Sequence, residues 1–181
     1  FYLAIRVMMA LLTFTHGQLD YDPMTEGWRQ TDDGTPYYVI ESARWDGYAR
    51  HDSRGYLGIS FFGYDNVRER RSNTAFFPGY PWISDAVYKI VVAPFMPEEA
   101  EDALSPEGRV ARFHTAHVVS TLAFLVALYL LRRLVMHHFG DAAADRTCYL
   151  LIALPPAIVF SCVLTESVFL ALVLGSFILL E

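Results

Sequence analysis

Apolar and polar positions follow one another along this chain in long blocks, which predict membrane helices separated by extramembrane segments. Phe1 to Phe14 is apolar except for Arg6 and Thr13, fourteen residues where a full span needs about 20. It reads as the outer part of a first transmembrane helix whose beginning is missing, in preference to a cleaved signal peptide, because no small-residue cleavage pattern follows. Residues 15–75 are rich in Asp, Arg, Gly and Tyr and are punctuated by Asp22-Pro23, Asp33-Gly34 and Gly63-Tyr64-Asp65-Asn66, which predicts a long extramembrane loop. Short helices are expected in it near Asp46, since Tyr38, Val39, Ala43, Trp45 and Ala49 recur at near-helical spacing.

Residues 76–95 are long enough to span but contain Asp85, Lys89, Pro78, Pro81 and Pro94. Trp82, Ile83, Ala86, Val87, Ile90 and Val91 fall on one helical face, and Ser84, Asp85, Tyr88 and Lys89 on the other, with Asp85 and Lys89 at i,i+4. The pattern predicts a helix lying in the interface. Spanning would carry two charges to depths that cost roughly 2.5–3.5 kcal/mol each, less when paired.

After the acidic linker 98–107 come residues 113–131, nineteen positions without Asp, Glu, Lys or Arg, closed by Arg132-Arg133. They predict a transmembrane helix, followed by a linker at 134–147. Cys148 to Leu180 then holds one charge in thirty-three residues. At 1.5 Å per residue a straight helix of that length would reach about 50 Å, beyond a hydrocarbon core of roughly 30 Å. The run therefore folds back as two helices, 148–164 and 167–181, with Glu166 at the tip and Pro155-Pro156 kinking the first arm. Arg132, Arg133 and Arg146 against the acidic linker put that loop in the cytoplasm. By alternation Glu166 and the loop carrying Asp46 share the outer face.

Composition agrees with this reading. Of 181 residues 54% are hydrophobic and 15% aromatic, more than a soluble domain of this size carries. The net charge of −6 argues against a nucleic-acid partner. Cys148 and Cys162 form no CxxC or Cys/His cluster, so neither a disulfide framework nor a zinc site is implied. His114 and His117 stand at i,i+3 without a third ligand nearby, and read as interfacial histidines at a helix end, with no metal expected. The chain begins without Met inside an apolar stretch and stops at Glu181, just after the apolar run 167–180, so a fragment of a longer protein is expected.

The candidate chemistry lies in Arg44-Trp45-Asp46-Gly47-Tyr48, between the oily blocks, and in the isolated acid Glu166. Arg44-Trp45-Asp46-Gly47, Gly55-Tyr56, Ala75-Phe76-Phe77-Pro78-Gly79-Tyr80-Pro81, Leu154-Pro155-Pro156-Ala157 and Leu164-Thr165-Glu166-Ser167-Val168-Phe169 resemble, in order, the motifs of PIG-V-like mannosyltransferases. That family includes the enzyme that adds the second mannose in GPI-anchor biosynthesis, and bacterial relatives. The resemblance covers about residues 40–180. It departs at Leu164, where the family usually has Tyr.

The resemblance implies an all-α, polytopic membrane protein, the N-terminal part of a GT-C-like glycosyltransferase, in the bacterial plasma membrane or the endoplasmic reticulum. It implies an outer loop with an essential acid, Asp46, and a donor that is mannosyl phosphate on a polyprenol or dolichol. The acceptor would be a hydroxyl of a glycolipid or glycan, and no cofactor is implied. In that setting Asp46 is the candidate catalytic base, with Asp52 next. Arg44, Arg50 and Arg54 lie near enough in sequence to neutralise the leaving phosphate, and Trp45, Tyr56 and Glu166 complete the substrate-binding candidates. A non-catalytic transporter or scaffold component, with Asp46 and Glu166 as a structural pair or along a solute path, is the competing class. A membrane metalloenzyme is disfavoured by the absence of HExxH spacing.

Overall fold

The computed structural model of the chain describes residues 27–30, 36–39, 45, 48–49, 52–64, 73–97 and 105–181. They are mostly helical, with one two-stranded antiparallel ribbon. Strands β1 (Gly27–Gln30) and β2 (Pro36–Val39) pair Trp28 with Tyr38 and Arg29 with Tyr37. Aromatic and β-branched residues suit such a ladder, and the Asp33-Gly34 dipeptide lies between the two strands in sequence. Tyr38 and Val39 are thus in a strand, against the helical spacing read from them, because pairing with β1 outweighs a weak local period. The first apolar block, 1–14, lies outside the described residues.

Helix α1 (Ser53–Phe62) stops at Gly63, whose φ of 76° lets its N–H return to Ile59 O at 2.8 Å. A short 3₁₀ turn, Asn73–Ala75, is tied back to it, with Asn73 Nδ2 donating to Gly63 O and the Tyr64 hydroxyl to Phe76 O. Helix α2 (Gly79–Val87) runs on through a π turn, Tyr88–Val92, and a 3₁₀ turn, Ala93–Phe95. Its faces are inverted relative to a soluble amphipathic helix. Tyr80, Ser84 and Tyr88 are buried, while Trp82 and Ile90 are 63% and 74% exposed and Ile83, Val91 and Phe95 are also out. Asp85 pairs with Lys89 at 2.7 Å, and also with Arg112 at 2.5 Å, a partner the sequence did not suggest.

Helix α3 (Pro106–Phe139) is the axis of the molecule, 34 residues or about 51 Å long. Ser105 caps it by accepting from Gly108 N–H, Pro106 occupies the first position, and Gly140 at φ 81° ends it. It thus outruns the nineteen apolar residues 113–131 at both ends, because charge marks where a helix leaves oil while capping marks where the backbone stops. Segment 134–147, expected as a linker, is helical except for Gly140: Arg132 reaches across that break to Asp141 at 3.1 Å and Asp145 at 2.9 Å on α4 (Asp141–Ala153). Of the most apolar window of α3 only 28% is buried inside the molecule, unlike the core helix of a soluble domain. Among the described residues this is the one helix long and apolar enough to cross a membrane.

Beyond α4 the chain turns by 85° into a 3₁₀ segment, Pro155–Ser161. The bend falls at Leu154, whose ψ of 132° is the extended geometry that a following proline imposes. Helical structure over 148–164 is therefore two short pieces at an angle. Helix α5 (Glu166–Leu180) then lies along α3. Two apolar clusters line α3: Tyr48, Leu57, Tyr80, Phe113, Ala116 and Val163 at its N-terminal half, and Phe124, Ala127, Leu128, Ile152 and Leu174 at the other.

Candidate functional site

The motifs that are scattered in sequence meet at the N-terminal half of α3. Phe113, His114 and His117 are neighbours on one side of that helix, and Trp45 sets its indole against them, edge-to-face with His114 at 4.9 Å and with His117 at 5.6 Å. Three residues on, Tyr48 N–H donates to Trp45 O at 2.9 Å, and Tyr48 O accepts from Val163 N–H at 2.9 Å and from the Ser53 hydroxyl at 3.4 Å. Trp45 and Tyr48, which bracket Asp46 in sequence, are thus fixed to α3, to α1 and to the segment before Glu166.

The Gly55-Tyr56 pair meets the Phe-Phe-Pro run. A Cβ on Gly55 would stand 2.6 Å from the Phe76 ring, so this close approach requires glycine. Tyr56 stacks edge-on against Phe76 at 5.0 Å and Tyr80 at 5.6 Å. Its hydroxyl lies 3.4 Å from Thr165 Oγ1. Tyr80 is buried and donates to Ala116 O at 2.9 Å, with the Ser120 hydroxyl also 2.9 Å away. Burial pushes the Tyr80 phenol well above the usual tyrosine value, overriding the lowering hydrogen bond from Ser120, so it is a permanent neutral donor. Ser120 in turn reaches Leu164 O at 3.5 Å.

Glu166 opens α5, exposed, and makes no ion pair with a described residue. The structure therefore brings Trp45, Tyr56 and Glu166 to one end of the molecule. Arg54 lies in the first turn of α1, and Asp52 precedes that helix, exposed and without a side-chain capping bond. Asp46, Arg44 and Arg50 lie outside the described residues. Among the described residues no three His, Cys, Asp or Glu side chains gather to hold a metal ion. An open apolar groove of about 410 Å³, lined by Leu134, His138, Phe139, Phe177 and Leu180, lies at the far end of α3, away from these motifs.

Two contributors were missed in the sequence. His117, read as an interfacial histidine, touches both aromatic rings that bracket Asp46 and brings Nδ1 to 2.7 Å from Ser161 O. Arg112 is nearly buried, bonded to Asp85 and Ser60 O and stacked over Tyr88 at 4.1 Å. The one available signal was position: Arg112 directly precedes the apolar run, where a cation either snorkels or pairs. No family model, curated protein or solved structure matches the chain.

Proposed function

We propose that this chain is part of a multi-pass membrane glycosyltransferase of GT-C architecture. It transfers a mannosyl residue from a polyprenyl- or dolichyl-phosphate donor to a hydroxyl of a glycolipid or glycan, with inversion, on the outer or lumenal side. The observation that carries the reading is the meeting of the Trp45–Tyr48, Gly55-Tyr56, Phe76–Tyr80 and Thr165-Glu166 motifs around one end of α3, linked by the Tyr56–Thr165 approach at 3.4 Å. Several of these residues also belong to one apolar cluster, and the exposed carboxylate of Glu166 lies beside it.

A lipid-linked donor keeps its phosphate at headgroup depth. The outward oily face of α2, with Trp82 and Ile90 exposed and Lys89 at 64% exposure, is what an element lying at that depth would present. Asp46 takes the acceptor's proton as the bond to the anomeric carbon forms. The phosphate departs on the opposite side, its charge met by Arg44, Arg50 or Arg54.

The test is transfer of radiolabelled mannose from lipid-linked donor by membranes expressing the protein. Asp46→Asn should express normally and lose at least roughly a hundredfold in rate, the usual worth of a general base. Near-parent turnover would move the base to Asp52 or elsewhere in the loop. No transfer by the parent with any polyprenyl-phosphate sugar would favour a scaffold or transport role.

A further inference from the structure

We infer that His117 is a positioning residue: it ties Trp45 and Tyr48, the described residues that bracket Asp46 in sequence, to the segment that leads to Glu166. The inference rests on the mannosyltransferase reading for its effect on transfer, but its geometry stands independently. His117 Nδ1 lies 2.7 Å from Ser161 O. A carbonyl oxygen can only accept, so Nδ1 carries the proton and donates. Two residues later Val163 N–H donates to Tyr48 O at 2.9 Å. The Tyr48 ring closes the circuit by meeting the His117 ring at 4.8 Å and 67°, with Trp45 against the same imidazole at 5.6 Å and 65°.

These contacts form a closed loop through three separate pieces of chain: α3, the stretch 161–163, and the 45–48 turn. Ser161 is the last residue of the 3₁₀ segment and Val163 is not in a helix, so the chain passes here from regular to irregular backbone, held to its own preceding turn by Cys162 N–H donating to Ile158 O and Val159 O. The donated N–H ties that passage to α3. Displacing His117 therefore moves Trp45 and Tyr48 and, three residues past Val163, the start of α5 at Glu166. One imidazole thus touches both paths, the one through Trp45 and Tyr48 and the one that leads to Glu166. A helix-end histidine wetted at the interface would have no such partners, and its replacement would be neutral.

Two substitutions separate the donated hydrogen bond from ring packing. His117→Phe keeps the ring and its edge contacts but loses the donor. His117→Asn places an amide N–H two bonds from Cβ, where Nδ1 stands, and loses the ring. Each is measured for mannosyl transfer and, in a Trp28→Phe/Trp82→Phe background where Trp45 is the one remaining tryptophan, for acrylamide quenching of Trp45 emission in detergent. The expected result is a fall of at least tenfold in kcat for His117→Phe, with KM for the donor within twofold of the parent. Trp45 quenching should rise at least twofold, and His117→Asn should recover most of both. Parent-like kcat and quenching in His117→Phe would overturn the inference, as would equal loss in both variants. A parent that transfers no mannose, with the quenching pattern intact, would sink the mannosyltransferase reading while leaving the positioning role in place.

Discussion

Removing the Asp85 charge tests whether α2 is fastened to α3 by an ion pair or only laid against it. Asp85 and Arg112 are 22% and 11% exposed, and the pair is joined at 2.5 Å. That burial lies between exposed pairs, worth about 0–1 kcal/mol, and fully buried ones, whose disruption costs about 3–5 kcal/mol. In Asp85→Asn the guanidinium keeps Ser60 O at 3.3 Å and the Tyr88 and Phe61 rings at 4.1 and 5.5 Å, so the lower middle of that range applies, about 2 kcal/mol. For a chain of this length that is a fall of about 4–8 °C in Tm. Lys89, the other partner, is 64% exposed, and Lys89→Ala should cost at most about 0.5 kcal/mol. The decisive measurement is the double variant Asp85→Asn/Arg112→Met, followed by thermal unfolding in detergent. It should return to within about 1 kcal/mol of the parent, since it leaves no buried charge alone. Additive losses, or equal losses from Asp85→Asn and Lys89→Ala, would refute the claim that this pair holds α2 in place.

Tyr80→Phe removes the hydroxyl shared by Ala116 O and Ser120 and should lower stability by about 1–2 kcal/mol, read as the same thermal shift. Gly55→Ala drives a methyl into the Phe76 ring, 2.6 Å from the ideal Cβ, and should cost about 1–3 kcal/mol; Phe76→Leu in the same chain should relieve part of it, and an unchanged penalty would place the strain elsewhere. Glu166→Gln, at an exposed position, should leave stability within about 0.5 kcal/mol of the parent yet reduce mannosyl transfer at least tenfold. Undiminished transfer would leave Glu166 only a helix-start residue.

The sequence disclosed the long apolar helix and the break at Pro155-Pro156, because a continuous apolar run and a proline pair act through local backbone chemistry. It also disclosed which side of α2 is polar. It did not disclose that this polar side faces inward, since periodicity defines faces and tertiary partners choose between them; Arg112, distant in sequence, made the choice. Helix ends were misjudged around α3 for a related reason: Arg132-Arg133 looked like a terminus, but only Gly140, at φ 81°, releases the backbone. The β1–β2 ribbon escaped notice because two four-residue strands leave too short a trace to outweigh an accidental helical spacing. At the site, Trp45, Tyr56 and Glu166 were legible as isolated residue types in motifs. Their supports, His117, Ser120 and Tyr80, were not, because each acts on a carbonyl 36 to 44 residues away.

The broken run between α4 and α5 frees carbonyl oxygens that an unbroken helix would have consumed. Within a hydrocarbon layer irregular backbone survives only where the protein itself supplies partners. Here three side chains do so: Ser167 Oγ donates to Phe160 O at 2.6 Å, His117 Nδ1 to Ser161 O at 2.7 Å, and Ser120 Oγ lies 3.5 Å from Leu164 O. The segment thus carries its own solvation shell, built from two hydroxyls and an imidazole. The turn needs no outside donor for these three acceptors.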